Sequence, residues 1–144
     1  METITLNAYL LFDSNCREAM AFYRGIFGGE VTARTFGEVD NSCPEAMRDS
    51  IMHSSLMGGD VAFFACDNPN PTAGGMGNGR ISLAIGGDEE ERLRRIFEAL
   101  STGGKIIFPL EKQGWGDIFG VVSDQFGINW MVNIRSKPRN ENPG

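Results

Sequence analysis

The chain opens with a run of positions that changes from alternating to continuously apolar. Residues 3–12 follow this pattern, which is typical of a β-strand that enters a hydrophobic core. Over residues 19–27, apolar side chains recur at helical spacing, and the glycine pair 28–29 provides the end of the helix. Asn15, followed three residues later by Glu18, has the form of a capping box, so we predict that the helix begins there.

The same order of elements returns in the second half of the chain. Residues 80–85 have the pattern of a strand, and residues 93–100 carry the apolar stripe of a helix. Asp88 and Glu91 have the form of a second capping box, and each lies 73 positions after its counterpart in the first half. This constant offset indicates an internal duplication.

Three strand-like runs follow each predicted helix. They are Glu30–Glu38, Ser50–Met57 and Val61–Cys66 in the first half, and Lys105–Glu111, Ile118–Ser123 and Ile128–Arg135 in the second. Turn-forming residues close the last hairpin of each half, at positions 58–60 and 124–127. Each half therefore has the order βαβββ, and we predict an α+β fold built from two tandem βαβββ modules.

The length of 144 residues suits one globular domain. We expect this single domain to cover residues 1–136, with one module at about 3–67 and the other at about 78–135. The polar tail at 137–144 has nothing to bury and is expected to be flexible.

Net charge, hydropathy and cysteine spacing argue against several classes of function. Thirteen basic and 19 acidic residues give a net charge of −6, which disfavours a nucleic-acid partner. No stretch approaches the ~20 apolar residues of a membrane-spanning helix, and the N-terminus has no leader pattern, so we expect a cytoplasmic protein without a membrane partner. Cys16, Cys43 and Cys66 form no C-x-x-C pair, which predicts free thiols.

Two segments carry a resemblance to a known family. Residues 15–23 with 27–29 resemble the first helix of PhnB-like proteins, and residues 119–120 with 124–133 resemble their final hairpin. The chain is thus similar to the PhnB-like branch of the glyoxalase/bleomycin resistance superfamily, also called the vicinal oxygen chelate (VOC) superfamily. This branch is often labelled 3-demethylubiquinone-9 3-methyltransferase-like, although no strand–glycine loop–helix site for a nucleotide-like cofactor is visible here. The resemblance implies the glyoxalase/bleomycin resistance/dioxygenase fold, with curved mixed sheets around a cavity, and a homodimer.

The resemblance also implies where a metal would bind. Metal-dependent members place one ligand near the start of each module and one on its last strand, where His, Gln or Glu hold a divalent cation. The matching positions here are Ala8, Arg80, Phe64 and Met131, none of which suits a hard cation. We therefore predict no metal and no other cofactor. A displaced divalent-metal site that uses His53 with acidic side chains is the alternative.

Six residues are predicted to contact a ligand in the cavity: Arg80, His53, Phe64, Trp115, Asn129 and Met131. Arg80 could clamp a carboxylate or phosphonate, or form an internal ion pair. His53 is the only histidine and hence the candidate general base, with an ordinary strand or interface histidine as the alternative. The ring of Trp115 could cover a pocket mouth or simply pack. Strand alternation points Asn129 and Met131 inward.

The predicted function is the binding of a small anionic or aromatic molecule in the cavity without the superfamily metal. Two alternatives stay open. One is a metal-dependent glyoxalase- or dioxygenase-type enzyme with a displaced site. The other is a structural or regulatory dimer whose cavity is filled by large side chains such as Phe64 and Met131. Neither the ligand nor the presence of catalysis follows from the sequence, because fold does not determine function.

Overall fold

The helices and strands follow the βαβββ order twice in the computed structural model, which describes residues 6–67 and 81–136. The first part contains β1 (Tyr9–Phe12), α1 (Cys16–Phe27), β2 (Glu30–Thr35), α2 (Phe36–Val39), a 3₁₀ turn (Glu45–Met47), β3 (Ile51–Met57) and β4 (Phe63–Asp67). The second part contains β5 (Leu83–Gly87), α3 (Glu90–Ser101), β6 (Lys105–Lys112), β7 (Ile118–Ser123) and β8 (Asn129–Ile134). The predicted α+β fold of two βαβββ modules is confirmed.

The chain divides into two compact units, Met1–Gly77 and Asn78–Gly144, and each holds one four-stranded mixed sheet. The strand order is β1-β4-β3-β2 in the first unit and β5-β8-β7-β6 in the second. In each unit the first and last strands pair in parallel, and the other pairs are antiparallel. The two sheets thus share one topology. The assignment of both modules to a single domain stays a prediction.

Helix α1 covers one face of the first sheet. Its apolar side is buried, and its Tyr23 packs edge-on against Phe63 of β4, with the ring centroids 5.5 Å apart. Leu10 and Phe12 of β1 are buried on the same side. Because side chains alternate along a strand, Tyr9 and Leu11 point to the opposite side of the sheet.

Helix α3 covers the second sheet in the same way. Leu93 and Phe97 of the helix are buried, as is Trp130 of β8. A Cβ atom on Gly120 of β7 would stand only 2.9 Å from the ring of Phe97, so the missing side chain permits this close packing. Neither α3 nor any other helix in residues 6–67 and 81–136 has the length and hydropathy needed to cross a bilayer.

Helix α1 begins after Asn15 as predicted, and α3 begins one residue later than predicted, but the caps of both helices differ from their predictions. Asn15 is the N-cap of α1, but its side chain makes no capping hydrogen bond. Helix α3 has Glu89 at its N-cap, also without a side-chain cap. The capping boxes predicted from Asn15 with Glu18 and from Asp88 with Glu91 are therefore wrong.

A capping box forms instead where a continuous strand was predicted. The backbone N–H of Glu38 donates to the hydroxyl of Thr35 at 3.1 Å, and the N–H of Thr35 donates to the Glu38 carboxylate at 2.9 Å. This box begins α2, so the strand predicted over Glu30–Glu38 ends at Thr35. The local exchange of two hydrogen bonds outweighs the alternating pattern at this point.

Most other strand ends lie within three residues of their predictions. The exception is β1, which was predicted from Thr3: residues 3–5 lie outside the described residues, and the strand begins at Tyr9 rather than at residues 6–8. In the second unit, β5 covers Leu83–Gly87 rather than residues 80–85. Most of the predicted linker between the modules, and the tail at 137–144, lie outside the described residues.

Asp67, the last residue of β4, joins three elements through one buried carboxylate. Only 4% of its surface is accessible. The N–H of Cys16, in the first turn of α1, donates to Oδ1 at 2.9 Å, and the N–H of Ile51, at the start of β3, donates to Oδ2 at 2.8 Å. A buried carboxylate is costly unless its oxygens have donors, so these two bonds fix α1 and β3 relative to β4.

Asp124 has a comparable role in the turn between β7 and β8. Its Oδ1 accepts hydrogen bonds from the N–H groups of Phe126 and Ile128 at 2.8 and 3.0 Å, and its Oδ2 accepts one from the indole N–H of Trp130 at 2.8 Å. The turn predicted at 124–127 is confirmed and is tied directly to the core of the second unit.

We expect the replacement of Asp67 by Asn (D67N) to destabilise the fold, because an amide nitrogen cannot accept a bond from a backbone N–H. The lost bond and the unsatisfied donor correspond to about 2 kcal/mol in the free energy of unfolding. Urea unfolding followed by circular dichroism measures the change. Asp49→Asn, which alters the charge equally at an exposed site, is the control and should change the free energy by less than about 0.5 kcal/mol. Equal unfolding free energies for both variants would contradict the role of Asp67.

Candidate functional site

We call the side of the first sheet opposite α1 its open face. Strand alternation decides which side chains point there, because the residues between them face α1. The hydroxyl oxygens of Thr32 and Ser55 lie 2.8 Å apart on this face, in agreement with the antiparallel register of β2 and β3. The open face carries the side chains of Tyr9, Leu11, Glu30, Thr32, Arg34, His53, Ser55, Met57, Phe64 and Cys66.

Three aromatic rings meet on the open face, and we name Tyr9, His53 and Phe64 the aromatic cluster. The ring centroid of Tyr9 lies 5.8 Å from that of His53 and 5.8 Å from that of Phe64. The centroids of His53 and Phe64 are 5.4 Å apart. The hydroxyl oxygen of Tyr9 lies 2.8 Å from Nδ1 of His53, so a hydrogen bond joins side chains of β1 and β3 across β4. This bond orients the imidazole, whose Nε2 has no hydrogen-bond partner within the described parts of the chain.

Arg34 extends the cluster towards β2. The antiparallel register sets it directly opposite His53. Its guanidinium makes no ion pair or hydrogen bond with any residue of the described ranges. Neighbouring strands are ~4.8 Å apart, so the guanidinium can reach a group bound over the imidazole. The open face thus combines ring surface with an adjacent positive charge.

Burial keeps the thiols near the cluster protonated. Cys66 is only 8% exposed, and burial raises its pKa, while a hydrogen bond with Tyr9 acts in the opposite direction. Burial also raises the pKa of Cys16 to about 11, although the Ser54 hydroxyl, 3.6 Å from its sulfur, lowers it. The pKa of the Tyr9 phenol is raised by burial as well. At neutral pH the open face therefore offers no thiolate nucleophile.

The second sheet presents a different set of side chains on the side opposite α3. Asn129 and Met131 of β8 point there and are half-buried, and Met131 is paired with Ala84 of β5. Trp115, in the turn between β6 and β7, leans edge-on against Phe119 with the centroids 6.2 Å apart, and 65% of its surface remains accessible. This face has no counterpart of the aromatic cluster among its described residues.

The structure brings together two of the six predicted ligand residues. His53 and Phe64 are in direct ring contact in the first unit. The three predicted residues Trp115, Asn129 and Met131 belong to the second unit, where Trp115 packs on a neighbouring ring. The predicted anion clamp, Arg80, lies outside the described residues.

Sequence reasoning missed two residues of the site, Tyr9 and Arg34. Counting along the motif selected Ala8, but the parallel register sets Tyr9 opposite Phe64, while the carbonyl of Ala8 accepts the N–H of Phe64. A shift of one residue changes the face of a strand. For Arg34, the strict polar–apolar alternation of residues 30–34 was the signal that could have placed it on the open face.

The side chains at the superfamily's metal positions do not fit a hard divalent cation. Of the four positions predicted from the resemblance, Ala8, Phe64 and Met131 are described and Arg80 is not. The residues paired with Phe64 and Met131 in the parallel register are Tyr9 and Ala84. Together these side chains supply one phenol and one thioether, whereas such cations take carboxylate, imidazole or carbonyl donors. In residues 6–67 and 81–136, no three His, Cys, Asp or Glu side chains are grouped as metal ligands.

Two βαβββ units in tandem define an α+β protein of the vicinal oxygen chelate class. The sequence matches the Glyoxalase/Bleomycin resistance protein/Dioxygenase superfamily over residues 5–132, and the chain belongs to this family. Protein YjdN of Escherichia coli (strain K12) is 30% identical over 141 aligned positions, which cover 90% of this chain and 94% of that protein. The family predicted from the sequence is therefore confirmed.

Solved structures agree with this assignment. Protein PA1353 from Pseudomonas aeruginosa superimposes with a TM-score of 0.76 at 36% identity, covering 91% of this chain and 98% of that one. A putative 3-demethylubiquinone-9 3-methyltransferase, PhnB protein, from Bacillus cereus superimposes with a TM-score of 0.74 at 20% identity, covering 91% and 99%. The second likeness shows the fold alone, and it agrees with the PhnB-like resemblance of the sequence.

We expect the thiols to react at different rates, and the rates to depend on pH. Cys16 should be alkylated slowly by iodoacetamide at about pH 8 and increasingly up to about pH 11, because its pKa is about 11. Cys43, which is only half-buried, should react faster at about pH 8. Peptide mass spectrometry measures both rates. The folded Cys16 thiol ionises less readily than the unfolded one, so stability should also fall as the pH rises from 9.0 towards 11. Rapid labelling of Cys16 at about pH 8 would contradict its burial.

Proposed function

We propose that the protein binds a small molecule on the open face of its first unit, without the metal of its superfamily. The aromatic cluster carries this proposal, because its three rings lie within 5.8 Å of one another on an accessible sheet face. Small-molecule sites are typically apolar and aromatic surfaces with a few placed polar groups. Here Nε2 of His53 and the hydroxyls of Thr32 and Ser55 can supply the hydrogen bonds.

The exposure of apolar side chains around the cluster supports a bound molecule. Within the described chain, 47% of the surface of Tyr9, 46% of that of Leu11 and 49% of that of Met57 is accessible. Apolar surface removed from water contributes about 25 cal/mol per Å² to binding. A ligand that covers this face therefore gains free energy from the same residues that position it.

The metal-dependent alternative has weaker support. A displaced site would use His53 with acidic side chains, but no group of three His, Cys, Asp or Glu side chains in residues 6–67 and 81–136 is placed to hold a metal. The nearby thiol of Cys66 stays protonated at neutral pH because burial raises its pKa. The alternative of a cavity filled by its own side chains has to account for the accessible ring of Tyr9. Binding is thus the function that the residues of the open face support best.

We further propose a homodimer, as the family resemblance implies. Strand β6 lies at the edge of the second sheet and exposes Ile106, Ile107 and Phe108, the last at 60% of its surface. An exposed apolar run on a sheet edge is a liability that proteins usually cover. A second copy of this chain is the occupant that the resemblance favours.

Native mass spectrometry tests this proposal on the full chain, purified without an affinity tag or a chelator, with metal analysis of the same sample. We expect a dimer that carries a co-purified small molecule and substoichiometric divalent metal. The variant F64L should lose the small molecule because it removes one ring of the cluster. F22L, the same change at a half-buried position of α1, should retain it.

Metal-free binding, ligand binding itself and the dimer would each be contradicted by a different result of this experiment. One divalent metal per chain would contradict metal-free binding. Chains that carry neither a metal nor a small molecule would contradict the binding function itself. A monomer at micromolar concentration would contradict the dimer.

A further inference from the structure

The positive charge of Arg34, beside the aromatic cluster, indicates which class of small molecule binds there. We infer that the ligand is a planar aromatic anion, in the simplest case an aromatic carboxylate, whose ring lies on the cluster and whose charge is bound by Arg34. This inference rests on the proposed function, because it assigns the ligand class of the same open face.

Backbone pairing holds Arg34 beside the cluster. The register of β2 and β3 is regular up to the pair of Arg34 with His53 and shifts directly after it. The capping box between Thr35 and Glu38 then turns the chain into α2. The strand therefore ends one residue beyond Arg34, and the backbone is anchored on both sides of it.

Among residues 6–67 and 81–136, Arg34 has no ion-pair partner. Among the described side chains of the open face, the one carboxylate is that of Glu30, four residues back along the strand, or ~13 Å at the usual rise. The formal net charge of the chain is −6, so most of the molecule repels an anion. An anion is favoured where Arg34 is paired with His53, the ring of the aromatic cluster that is nearest to β2.

The spacing of the strands suits one aromatic ring with one anionic substituent. The centroids of His53 and Phe64 are 5.4 Å apart, within the range of packed aromatic pairs, so one further ring laid over the open face can contact both. A carboxylate on that ring would lie one strand spacing away, ~4.8 Å, over β2. There the guanidinium of Arg34 can donate two parallel hydrogen bonds to it. An aliphatic anion would lose the ring contacts, and a neutral aromatic molecule would lose the charge.

Three probe molecules separate these contributions when they are titrated into the full-length protein and followed by NMR signals of the cluster rings. Benzoate is planar and anionic, cyclohexanecarboxylate is anionic but not planar, and benzyl alcohol is planar but neutral. We expect benzoate to bind most tightly, with each of the other two weaker by about tenfold. If benzyl alcohol binds as tightly as benzoate, the anionic part of the inference is overturned.

Substitutions at Arg34 test its role directly. R34Q should weaken benzoate binding by about tenfold, and R34K should recover part of this loss because it restores the charge without the planar fork. R95Q, the same change at an exposed arginine of α3, is the matched control and should leave binding unchanged. Thermal unfolding shows whether each variant is folded. An unchanged benzoate affinity in folded R34Q overturns the inference.

The inference and the proposed function fail in different ways. If none of the three probes shifts the ring signals, the ligand class is wrong. The proposed function is then decided separately, by whether a small molecule of another class co-purifies with the wild-type chain and is lost from F64L.

Discussion

The buried carboxylate of Asp67 connects a helix and two strands at the centre of the first unit. It accepts the N–H groups of Cys16 and Ile51, which lie 51 and 16 positions away in the sequence. Ile51 precedes His53 by two residues, and Asp67 follows Phe64 by three, so these bonds help to set the register at which the two rings meet. A shift of one residue in the register of β3 or β4 would turn His53 or Phe64 towards α1, and the aromatic cluster would not form.

The two units share a topology but differ in how they are anchored and in what they present. In the second unit the buried carboxylate belongs to Asp124, which secures a turn and the ring of Trp130. Where the first sheet has a cluster of rings beside an arginine, the second has the amide of Asn129 and the thioether of Met131 on its corresponding side. A duplicated fold can therefore keep its architecture while its halves carry different chemistry, which is why family membership alone does not give the ligand.

The topology could be predicted because it depends on periodicity, which is local. The caps could not. Asn15 is followed by a suitable glutamate, yet the N–H of Cys16 in the first turn of α1 donates to Asp67, and that choice is set by tertiary packing. Within the candidate site, His53 and Phe64 were identified from residue type and motif spacing. Tyr9 and Arg34 were not, because their place on the open face depends on pairing with other strands, and a one-residue error in register exchanges the two faces.

We propose that the aromatic cluster, and not a metal centre, receives the ligand. A crystal structure of the protein as isolated, without a tag or chelator, tests it most directly. We expect electron density for a planar molecule over the rings of Tyr9, His53 and Phe64, with an anionic group directed at Arg34. Density for a cation coordinated by His53, with the rings uncovered, would contradict it.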